Sequence, residues 1–101
     1  MPTGASAVGY IWASPSVGVS PEAQAERIRR YCLTQGWTIS TELHARRFPE
    51  LTELTHRLIQ DDARRIVMVR EALTDLERRF PDAWRGTRAR IEAEGATILA
   101  I

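Results

Sequence analysis

Residues 65–70 read Arg-Ile-Val-Met-Val-Arg, a short apolar run rich in β-branched side chains and bracketed by arginines. It is too short for a buried helix and does not alternate as a half-solvated strand would. Such a run suits a strand at the centre of a sheet, covered on both faces. Sheets covered on both faces are built from parallel strands, because the crossover helices lie on them. RIVMVR therefore asks for helical segments before and after it.

Working back from this strand, Pro49 opens a predicted helix carrying Leu51, Leu54, Leu58 and Ile59 at three- and four-residue spacing. Residues 37–42 (WTISTE) alternate apolar and polar, the pattern of a strand with one solvated face. Ser20-Pro21-Glu22 is a helix start: serine as N-cap, proline at the first helical position, and a carboxylate facing the positive helix end. That helix is predicted to Thr34, with Ile28, Tyr31 and Cys32 on one side, and Gly36 ends it. Residues 7–12 (AVGYIW) form the first strand, after a short tail at 1–6 and before a loop at 13–19.

Forward from RIVMVR, a charged stretch at 71–79 reads as a connection to a third helix from Phe80 to Glu94, punctuated by Gly95. Residues 96–101 (ATILAI) give a last strand. The order β-α-β-α-β-α-β predicts a three-layer α/β domain over 7–101. Its mostly parallel four-stranded sheet would have helices on both faces and right-handed crossovers. Ligands of such sheets gather at the carboxyl ends of the strands, here the segments 13–19, 43–48 and 71–79.

Composition narrows the function only coarsely. All fourteen basic residues are arginine, yet the acidic residues nearly cancel them, and a net charge of +1 makes no electrostatic case for nucleic acid. One cysteine cannot form an internal disulfide, so a reducing cytoplasm is the expected compartment, and Cys32 within a helix reads as a buried, inert thiol. The sequence contains no apolar stretch of membrane-spanning length and no signal-peptide pattern.

No Gly-x-Gly-x-x-Gly or Gly-Lys-Ser/Thr motif occurs, so no nucleotide cofactor is expected. His44 and His56 stand twelve residues apart without a ligand pattern around them, and no metal is expected either. The strand-end segments carry Ser14 and Ser16, then Arg46 and Arg47, then Arg78 and Arg79. A serine hydroxyl among guanidinium groups is a group that could attack a phosphodiester, since arginine forks stabilise charge developing on phosphate oxygens. On composition alone the plainer reading is favoured, with Ser14 a turn residue and the arginines solvated helix flanks.

The order of these motifs resembles the N-terminal catalytic domain of serine recombinases, the resolvase and invertase family. The family's opening Gly-Tyr-x-Arg-Val-Ser is similar to Gly9-Tyr10-Ile11-Trp12-Ala13-Ser14, and its helix glutamine corresponds to Gln24. Its Arg-Pro-x-Leu helix start resembles Phe48-Pro49-Glu50-Leu51, and its Leu-Asp-Arg-Leu-x-Arg signature resembles Leu73-Thr74-Asp75-Leu76-Glu77-Arg78. The resemblance implies a nucleophile's place for Ser14 and leaves Arg78 as the one arginine kept in the last signature.

The departures fall on the chemistry. Trp12, Phe48 and Asp75 stand where the family has arginines, Thr74 replaces an aspartate, and the family's Asp and Ser-Gly after the second strand are missing. Losing one preorganised donor to a transition-state charge costs about 10²–10³ in rate, so losing two or three leaves little catalysis. The resemblance thus implies Ser14 and Arg78 as vestigial catalytic positions. It points to a non-catalytic protein-interaction or regulatory module, with Trp12, Phe48 and Arg47 as a candidate interaction surface.

For Trp12 alone, filling of the core is the favoured alternative. Self-association as a homodimer through an uncovered sheet edge is a second expectation. The competing reading is residual DNA strand exchange through Ser14, alone or with an intact recombinase. The family's long interface helix and DNA-binding domain are not encoded in these 101 residues. A third reading is a small-phosphate binder using the 13–19 loop and the start of the first helix.

Overall fold

The structure is a computed structural model, and it describes residues 5–47 and 63–101. Four strands, β1 (Ser6–Trp12), β2 (Thr38–Ala45), β3 (Arg65–Met68) and β4 (Thr97–Ala100), form one all-parallel sheet in the order β2-β1-β3-β4. The helices are α1 (Pro21–Gln35), α2 (Arg70–Arg79) and α3 (Pro81–Ala93). This is the α/β class expected from the alternation of patterns.

RIVMVR occupies an inner position: β3 lies between β1 and β4, and Ile66 through Val69 are buried. The strand itself stops at Met68 rather than running to residue 70. β1, the other inner strand, is buried from Ala7 to Trp12. A register shift between Ala7 and Val8 against β2 is its one irregularity.

Side chains alternate along β1, and the two faces meet different helices. On one face α1 comes so close to Gly9 that an added Cβ would lie 3.2 Å from Ile28 Cγ2. Trp12, three positions on and so on the other face, reaches Asp75 of α2 and packs edge-on against Phe80. Right-handed crossovers demand this division, because β1→β2 and β3→β4 run in opposite directions across the sheet.

α1 begins as its sequence signals require. Ser20 Oγ accepts from the Ala23 N–H at 3.2 Å, and Pro21 takes the first helical position. It ends at Gly36 with φ 76°, and the Trp37 N–H bonds back to the Cys32 carbonyl at 2.9 Å, a Schellman closure that glycine makes cheap. Cys32 is buried, and desolvation pushes its thiol up, which makes it a poor nucleophile.

One expectation is corrected. Residues 71–79 are not a connection but helix α2, which follows β3 almost at once. Ala72, Leu73 and Leu76 recur at helical spacing and face inward, while five charged side chains among residues 71–79 hide the pattern. α2 is separated from α3 at Phe80 (φ −133°, ψ 56°), because Pro81 has no N–H to donate and pushes the preceding residue out of the helical region. The remaining boundaries shift slightly: β2 continues past Glu42 to Ala45, and β4 covers 97–100. The predicted helix at Pro49, with its leucines, and Phe48 lie outside the described residues.

Candidate functional site

The carboxyl end of β1 and the inner side of α2 meet around one carboxylate. Asp75 is 2% exposed, and buried carboxylates need partners to offset the loss of water. It has several. The Trp12 indole Nε1–H donates to Oδ2 at 2.7 Å, and Arg78 Nη2 donates to Oδ1 at 3.2 Å. Arg79 Nη1 stands 3.6 Å from Oδ2. Burial pushes the Asp75 carboxyl up, but the Ser16 hydroxyl, the Trp12 indole, and the Arg79 and Arg78 guanidinium groups together outweigh it. The net result holds the carboxyl below its ordinary value of 3.8.

Ser14 lies at the rim of this cluster. Its backbone is extended and caps a 3₁₀ turn at Pro15–Val17, accepting the Val17 N–H at 3.1 Å. Its Oγ accepts from Arg79 Nη1 at 2.7 Å and shares a hydrogen bond with Ser16 Oγ at 2.8 Å. Arg79 also donates to Ser16 Oγ at 3.1 Å. One guanidinium thus ties the loop to α2, with its cation 5.2 Å above the Phe80 ring.

The loop is fixed from the other side by Gln24, fully buried on α1. Its Oε1 accepts the Trp12 N–H at 3.0 Å, and its Nε2 donates to the carbonyls of Trp12 and Val19, both at 2.9 Å. These bonds satisfy main-chain groups at both ends of the loop that no strand partner reaches.

The structure sorts the sequence candidates. Ser14 and Asp75 are brought together, but the arginine on Ser14 is Arg79; Arg78 turns to Asp75 and is largely exposed. The signal for Arg79 was its i,i+4 spacing from Asp75, which counts only once 71–79 is helical.

Trp12 is 2% exposed, so its ring is core and not interaction surface. Its burial is worth about 3–5 kcal/mol, which explains why an aromatic at a strand end turns inward. Arg47 is exposed beyond the end of β2, and Phe48 lies outside the described residues. His44 and Arg46 line a separate depression of about 300 Å³ with Arg29 and Glu22.

Among the described residues the hydrogen-bond partners of Ser14 Oγ are a hydroxyl and a guanidinium, and neither accepts a proton near neutral pH. Asp75, held ionised by its donors, is too weak a base for a hydroxyl. Among the described residues no group of three or more His, Cys, Asp or Glu side chains could hold a metal ion. No helix among them is long and apolar enough to cross a membrane.

Fold and site together define a class: an all-parallel, four-stranded α/β domain with a buried carboxylate beneath a serine-bearing loop at the end of its first strand. Comparison with family models, with curated proteins and with solved structures returns no match.

Proposed function

We propose that this chain is a resolvase-like domain that works without catalysis, as a protein-interaction or regulatory module. The observation that carries the reading is the 2.7 Å bond from the Trp12 indole to Asp75. Trp12 and Asp75 occupy two positions where the resembling family has arginines. They have become partners of each other, so cationic donors have been exchanged for a closed internal pair. Arg78, the arginine retained in the signature, spends its charge on Asp75. Among the described residues the guanidinium bonded to Ser14 is that of Arg79, already bonded to two hydroxyls and facing a carboxylate.

The second reading, DNA strand cleavage through Ser14, draws support from the 2.7 Å contact of Arg79 with Ser14 Oγ. Incubation with supercoiled DNA, followed by denaturing electrophoresis, separates the two. The non-catalytic reading expects no covalent protein–DNA adduct at high protein concentration. An adduct that disappears in Ser14→Ala overturns it.

The partner is a second protein or a second copy of the chain, through the outer edge of β2 or of β4. The expected compartment remains the cytoplasm. Sedimentation analysis across a concentration series tests self-association, for which a homodimer is the expected species.

A further inference from the structure

The sheet order places the topological switch point between β1 and β3, since the chain leaves β1 toward one edge and returns to β3 on its other side. In open parallel sheets the crevice beyond the strand ends at that point is the habitual ligand site. A cavity of about 540 Å³ lies there, within the range that accommodates small organic ligands. Segments following β1, β3 and β4 all line it, together with α1: Val17, Arg27, Arg70, Glu71, Arg78 and Ile101.

The charges of the lining differ in engagement. Three guanidinium groups, Arg27, Arg70 and Arg78, face two side-chain carboxylates, Glu71 and Asp75, and the main-chain oxygen of Ile101. Arg27 is committed: it bonds both oxygens of Glu71, at 2.6 and 3.2 Å, and the Ile101 main-chain oxygen at 2.6 Å. Arg78 is committed to Asp75. Among the described residues the exposed side chain of Arg70 makes no hydrogen bond or ion pair, and its charge reaches Glu71 only through space. Val17 and Ile101 supply apolar wall beside it.

We infer that this cavity binds a small organic acid, one carboxylate on an apolar body, with Arg70 as the fork that receives the carboxylate. A planar guanidinium matches a carboxylate with two parallel hydrogen bonds. One uncommitted guanidinium matches a single anionic head, whereas the wall carboxylates of Glu71 and Asp75 repel a polyanion such as DNA. Ser14 does not line the cavity, although Ser16, which shares a hydrogen bond with it, does, and the proposal does not depend on whether Ser14 is inert.

The test uses 4-phenylbutyrate as probe, with 4-phenylbutanol as its uncharged counterpart, both titrated into ¹⁵N-labelled full chain at fixed ionic strength. The carboxylate is expected to give saturable amide shifts at Val17, Arg70, Glu71 and Thr74, with a dissociation constant of about 0.1–1 mM. Arg70→Gln should weaken binding about tenfold, Arg70→Lys less, and the alcohol should bind at least about tenfold more weakly. Absence of saturable shifts by about 10 mM overturns the proposal. So does equal affinity in Arg70→Gln, or a response centred on residues 13–15 and the start of α1. Since the Arg70 side chain is exposed, folding of the variants is checked by the unperturbed spectrum.

Discussion

The indole nitrogen of Trp12, at the end of β1, donates to the Asp75 carboxylate of α2 across 2.7 Å, sixty-three residues apart in the chain. The bond joins the sheet to the helix that follows β3, and both partners are buried. Loss of the Asp75 carboxylate therefore leaves the indole N–H without this acceptor in a low-dielectric setting, while loss of the indole removes one of several donors that hold the buried carboxylate.

Trp12→Phe keeps an aromatic ring at the site but removes the donor and part of the buried volume. It should destabilise the fold by about 1–3 kcal/mol, read as a lower urea midpoint at unchanged slope. A loss below about 0.5 kcal/mol would show that the bond adds nothing beyond packing.

The same carboxylate sets a pH dependence. Its folded-state pKa lies below the ordinary 3.8 of the unfolded chain, so the stability it contributes is fully present above that value. That stability is lost as pH falls through the lower folded-state value. Wild type should therefore lose its advantage over Asp75→Asn as pH is taken from 6 to about 2.5, measured by urea denaturation at each pH. A difference that stays constant over this interval contradicts the assignment. Glu42 and Glu71 are also lowered, by hydrogen bonds from Arg29 and Arg27 respectively, but both variants share these groups.

Gly9 sits where α1 presses on β1. In Gly9→Ala the added methyl would lie 3.2 Å from Ile28 Cγ2, closer than carbon atoms pack comfortably. A cost of about 1–3 kcal/mol is expected for this overpacking. Combining it with Ile28→Ala, which makes room, should cost less than the two single changes added together. Strict additivity in that cycle would place the strain elsewhere.

Much of this architecture was legible in the sequence because burial leaves a pattern. RIVMVR announced an inner strand, and Ser20-Pro21 and Gly36 marked the ends of α1 by their backbone chemistry. α2 was not legible, because Glu71, Asp75, Glu77, Arg78 and Arg79 swamp the spacing of Ala72, Leu73 and Leu76. A charged residue on an inward face reads as solvated until its partner is known, and the partner of Asp75 lies on a strand far away in sequence. Missing that helix concealed the contact of Arg79 with Ser14 as well. Ser14 was visible as a strand-end serine, but its bonds to Ser16 and Arg79 are facts of three dimensions.

Gln24 carries a mechanical consequence. Its one amide grips the last residue of β1 and the far end of the serine loop, while its own backbone belongs to α1. Strand end, loop and helix are thereby yoked into a single lever. Any tilt of α1 against β1 would have to break these bonds or carry with it the loop whose Ser14 and Ser16 hydroxyls are bonded to Arg79.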